Sequence, residues 1–184
     1  MRIFIGIPFS DQARRQICRA FAQAAPPLTL TKQAPWQGYH LTLQFLGEVP
    51  EAAAEALRDL LQECRFETPA FQLEFTGLGR FQKAGGDVLW LGVEPAPSLQ
   101  VLQSEVTRLT SAAGFAPEPR PFSPHLTLAR GVRYKEDFEA VRRLWSLPPL
   151  TETVSRVTLF HSTRVAGQLS YLPLASAPLE PSAR

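Results

Sequence analysis

Short apolar runs exchange along this 184-residue chain with stretches whose apolar positions recur at helical spacing, and the exchange happens twice in the same order. RIFIGIP (2–8) is β-branched and aromatic and stops at a proline, which predicts a strand. Ser10 stands as N-cap before an amphipathic helix, DQARRQICRAFAQAA (11–25), which Pro26 and Pro27 end. Then come a strand over 39–46 with Gly47 as its turn residue, a helix over 50–64 that opens on proline and acids, and an alternating strand over 71–75. The second half predicts a strand over 88–93 that reaches Pro95, a helix opened by Ser98 and ended by Gly114, a strand over 125–129, a helix over 136–145 and a strand over 154–160. A last strand over 169–174 completes that copy, and residues 175–184 read as a flexible tail.

The two halves keep a nearly constant shift. His40 and His125 are 85 apart, Leu73 and Val157 are 84 apart, and Pro8 and Pro95 are 87 apart. This spacing predicts an internal duplication of strand–helix–strand–helix–strand units, with copies of about 1–81 and 88–174 forming one domain over 1–174. Two such units related by a pseudo-two-fold axis would bring equivalent residues to one cleft.

Composition narrows the setting. At 45% hydrophobic the chain can bury a real core, and a net charge of +2 suits a phosphate-bearing ligand without suggesting a long duplex-binding face. Cys18 and Cys64 are far apart and outside any CxxC, so they read as reduced thiols and not as a zinc site. The apolar run at the start is too short for a membrane span or a signal segment, which predicts a soluble, cytoplasmic protein.

Candidate chemistry rests on a repeated string, HLTL, at 40–43 and at 125–128. Side chains alternate along a strand, so His40 shares a face with Thr42, and His125 with Thr127, while the leucines point to the core. One such triplet is ordinary strand surface. Two, at matching places of a duplication and using two of the three histidines in the chain, point to a site. Opposed imidazoles can cleave a phosphodiester without a metal, one taking a proton from water while the other gives one to the departing oxygen. The threonine hydroxyls can bond non-bridging oxygens. No carboxylate or cysteine stands at ligand spacing from either histidine, so neither a metal site nor a cofactor is expected.

Other residues carry two readings. Arg130 could clamp phosphate, but ideal alternation turns it away from His125, so it needs a bulge or a strand end. Phe45, its counterpart, either stacks on a base or packs in the core, and Tyr171 either reaches a ligand or is buried. His161 has no partner histidine in the repeat and reads as a surface or hydrogen-bonded residue. Arg80 and Arg164, 84 apart, could flank the cleft, though solvated arginines are the commoner outcome; Trp90 and Trp145 read as core.

With these residues in view, the chain resembles the 2H phosphoesterase superfamily, named for two HxTx motifs, and within it the RNA 2',3'-cyclic phosphodiesterases also called 2'-5' RNA ligases. The similarity runs through RIFI (2–5), HLTLQFLGEV (40–49), GLGRF (77–81), VLWLGV (88–93) and PFSPHLTLAR (121–130), across about residues 1–174. It implies a bilobal α+β fold: two pseudo-two-fold-related antiparallel sheets, helices outside them, and a central V-shaped cleft. It implies His40 as proton donor, His125 as proton acceptor, and Thr42 and Thr127 as phosphate holders, with Arg130, Phe45 and Tyr171 on the substrate. RNA ends or small cyclic nucleotides would be the ligand of a monomer, the product a 2'-phosphate, and the reverse reaction a weak 2'-5' ligation. The segment Trp36, Gln37, Gly38, Tyr39 departs from the family's polar approach to the first motif, and Gly38 is expected to loosen it. A catalytically idle module that only binds RNA ends is the alternative from another class.

Overall fold

The computed structural model describes residues 1–30 and 32–181. In chain order its elements are β1 (Arg2–Pro8), α1 (Asp11–Ala24), β2 (Leu28–Thr29), β3 (Lys32–Gln33), a 3-10 turn (Trp36–Gly38), β4 (His40–Glu48), α2 (Glu51–Glu63) and β5 (Phe71–Phe81). They continue with β6 (Asp87–Val93), α3 (Pro97–Ala112), β7 (His125–Tyr134), α4 (Phe138–Leu144), β8 (Thr151–Val154), β9 (Arg156–Val165) and β10 (Gln168–Pro178). The fold is α+β, with two antiparallel sheets ordered β10-β9-β1-β4 and β2-β7-β6-β5-β8, β3 also pairing β7.

Local chemistry sets the helices. Ser10 accepts from the Ala13 amide and so caps α1, whose Ile17 and Phe21 are buried. Asp137 does the same for α4 through the Ala140 amide. The start of α3 differs from expectation: Pro97 occupies its first turn and Ala96 is the cap residue, so Ser98 lies inside the helix. On its buried side, Glu105 accepts from the amides of Glu67 and Thr68 and from the Thr68 hydroxyl, tying the loop before β5 to the helix. Among the described residues no helix is long and apolar enough to cross a membrane.

Each sheet takes strands from both halves of the chain. β1 lies between β4 and β9, and β6 lies between β7 and β5, so the last strand of each copy joins the other copy's sheet. Register corrects two of the matched pairs. Pro8 is opposite His40 and Gly92 is opposite His125, so the counterpart of Pro8 is Gly92 and not Pro95. Phe160 pairs with Phe4, and Phe81 with the matching Val88, so Arg80 corresponds to buried Leu159 and not to Arg164.

Strand ends are corrected as well. Gly47, with φ of 79°, lies inside β4 and is not the turn that ends it. The strand expected over 154–160 is divided between β8 and β9, and β5 and β7 run past their expected ends. Residues 175–181 are not a loose tail. Ala175 and Ala177 are buried on β10, Leu179 is 5% exposed with its amide on the Ser155 carbonyl, and the Glu180 carbonyl accepts from Ala70. Small side chains between polar ones read as tail composition, yet every second one faces α2 and the sheet. Residues 182–184 of that expected tail lie outside the described residues.

Candidate active site

β4 and β7, in different sheets, both carry the repeated string to one cavity of about 1260 Å³. Leu41, Leu43, Leu126 and Leu128 are buried, which fixes each strand, while His40, Thr42, His125 and Thr127 line the cavity. Both strands then break alternation at the same place. Leu43 and Gln44 are both buried, as are Leu128 and Ala129, and the pairing skips one residue opposite β1 and opposite β6. Gln44 is held inside by the Thr110 hydroxyl of α3, which donates to its Oε1 at 2.7 Å. These bulges turn the next residue of each strand, Phe45 and Arg130, onto the histidine face, where both line the cavity. Core packing of Phe45 is therefore ruled out: it is 41% exposed, with the Arg2 guanidinium 4.8 Å from its ring centroid.

The two imidazoles are held alike. His40 Nδ1 is 2.6 Å from the Gly38 carbonyl, and His125 Nδ1 is 2.7 Å from the Ser123 carbonyl. A carbonyl only accepts, so each Nδ1 carries the proton and each Nε2 is left as the basic nitrogen of the neutral ring. His40 Nε2 lies 3.2 Å from the Thr42 hydroxyl. Aromatic rings pack each imidazole. Phe4 stacks on His40 at 4.6 Å and Tyr171 meets it edge-on at 4.8 Å; Phe81 meets His125 edge-on at 4.9 Å, with Trp90 6.0 Å away. Trp90 is not a core residue: it is half-buried behind the site, its ring against those of Phe81 and His125, whereas Trp145 packs against the core. Gly38 does not loosen its segment. A Cβ there would sit 2.7 Å from Tyr171 Cδ2, so the missing side chain is the space Tyr171 fills.

Burial lowers the His40 pKa to about 4; the Gly38 carbonyl opposes this, while the charges of His125 and Arg130 add to it. Burial also lowers His125, again opposed by its carbonyl partner and reinforced by Arg130. Each ring therefore senses Arg130, and His40 senses His125, as expected of groups in one small space. Burial likewise raises the pKa of Tyr171. Both histidine shifts favour the neutral imidazole.

Sequence reasoning offered Arg130 and Arg80 for the cleft but missed the rest of its charge. Among the described residues its lining includes Arg2, Lys32, Arg80, Lys83, Arg120 and Arg130 against one acid, Glu118, which is paired with Arg120. Strand alternation placing Arg2 beside Phe4 was the available signal; Lys32 and Lys83 come from segments with no period to read. Arg164 is absent from the lining and donates to the Gly167 carbonyl, and His161 is a partly exposed residue of β9.

Comparison with known proteins gives concordant matches. A family model described as the 2'-5' RNA ligase superfamily matches residues 9–166. The RNA 2',3'-cyclic phosphodiesterase of Geobacillus stearothermophilus is 30% identical over 181 residues, covering 96% of this chain; the chain spans 56% of that protein's length. The Escherichia coli RNA 2',3'-cyclic phosphodiesterase is 31% identical over 178 residues, covering 94% of this chain and 93% of its own. The crystal structure of E. coli LigT complexed with 3'-AMP superposes with a TM-score of 0.77 at 30% identity, covering 97% of each chain.

Proposed function

Because the chain belongs to the 2'-5' RNA ligase superfamily, we propose that it hydrolyses 2',3'-cyclic phosphodiesters, on RNA ends or small cyclic nucleotides, to 2'-phosphomonoesters. The observation that carries this reading is the pair of imidazoles, each held at Nδ1 by the carbonyl two residues before it, both lining one basic cavity from different sheets. His125 Nε2 takes a proton from water as the water oxygen attacks phosphorus. The bond from phosphorus to O3' breaks, and O3' takes a proton from His40 Nε2, leaving a 3'-hydroxyl and a 2'-phosphate. Thr42, Thr127 and Arg130 hold the non-bridging oxygens as charge builds on them. With a 5'-hydroxyl in place of water as the attacking group, the same steps join a cyclic phosphate end to it as a 2'-5' linkage, O3' again leaving with the proton from His40.

The acid must be protonated, although burial lowers the His40 pKa to about 4. The substrate corrects this. Its phosphate anion favours the imidazolium and offsets the Arg130 charge that depresses both rings. The donor is thereby charged as substrate binds. Both imidazoles come from one chain, so a monomer suffices, and RNA-end chemistry fits work in the cytoplasm.

The direct test is product analysis on an RNA oligomer ending in 2',3'-cyclic phosphate, with and without EDTA. The expected result is a 2'-phosphate end formed at the same rate in both. Binding without turnover would point to an idle recognition module, and loss of activity on chelation would overturn the two-histidine scheme.

A further inference from the structure

The cleft carries a second prepared cation. Arg80, on β5, donates from Nη1 to Asp87 Oδ2 at 3.1 Å, and its guanidinium carbon lies 5.4 Å from the Tyr134 ring centroid and 5.0 Å from that of Phe138. Three groups thus fix the fork, while the side chain stays 33% exposed and lines the cavity. Asp87 engages one edge only, and a guanidinium has five N–H donors in a rigid plane. The fold does not require a cation here, because the equivalent position in the other lobe is buried Leu159. Lys83, on the loop after β5, also lines the cavity, whereas Asp87 is not among the lining residues.

We propose that Arg80, with Lys83 beside it, binds a second phosphate of the substrate, the one that links the cyclic-phosphate nucleotide to the rest of an RNA strand. The reacting phosphate already has its cation. Arg130 follows the second HLTL string directly and its charge reaches both imidazoles, whereas Arg80's charge reaches Tyr134. A cation in the cleft but apart from the reacting centre is placed to read a neighbouring phosphate. The cleft therefore selects strand ends over free cyclic mononucleotides, a preference that rests on the hydrolase reading above.

The test compares kcat/KM for 2',3'-cyclic AMP with that for a short oligoadenylate ending in 2',3'-cyclic phosphate. The native protein should favour the oligomer, and R80Q should cut that ratio about tenfold, chiefly through KM of the oligomer, as expected for one lost charge-assisted contact of about 1.4 kcal/mol. R80K should restore part of it. Should R80Q fail to fold, K83Q reads the same ratio and should lower it in the same direction. An unchanged ratio in the folded variants, or a native protein with no preference for the oligomer, overturns this inference while leaving the hydrolase standing. No turnover of either substrate overturns both.

Discussion

At the scale of single residues, burial and Arg130 act in the same direction on the two motif histidines, and the carbonyls of Gly38 and Ser123 act against them. Removing a nearby positive charge makes the protonated ring less unfavourable, so Arg130→Ala should raise the pKa of both His40 and His125. Proton NMR titration of the ring resonances reads this directly. Two upward shifts in the empty protein are expected, and no movement of either would separate Arg130 from the centre. The same variant should bind the phosphate product less tightly. The residue identities here were legible in sequence, since HLTL occurs twice. The carbonyl partners were not, because they depend on how the chain turns before each strand: a 3-10 turn ahead of His40, and a proline-containing loop ahead of His125.

At the scale of elements, most strands and helices follow from periodicity, because each buries one face. What periodicity missed are matters of register. A bulge depends on the partner strand, so nothing within HLTLQF or HLTLAR shows that Phe45 and Arg130 return to the histidine face. β10 is a second case, since its later half is built of alanine, serine and proline and buries small side chains. Ending the chain at Leu174 removes buried Ala175, Ala177 and Leu179 and the backbone bonds from Leu179 and to Glu180. A loss of about 3 kcal/mol or more is expected, seen as a lower midpoint in urea or heat. An unchanged midpoint would return those residues to the status of a tail.

At the scale of the whole molecule, the two histidines stand on different sheets that line one cavity, and each sheet takes strands from both halves of the chain. The cleft is symmetric in its machinery and asymmetric in its lining. The first sheet offers Phe45, Tyr171 and Arg2, and the second, with the loop after β5, offers Arg130, Arg80, Lys83 and Lys32. The small net charge of +2 hides this concentration of cations, which is why composition alone argued for so little. The central claim is that both imidazoles act on one phosphate. Its most direct measurement is the rate of hydrolysis of an oligonucleotide 2',3'-cyclic phosphate by folded His40→Ala and His125→Ala proteins. Each is predicted to be slower by about 10²–10⁴-fold, with the double variant little worse than either alone. Full activity in either single variant would contradict the account.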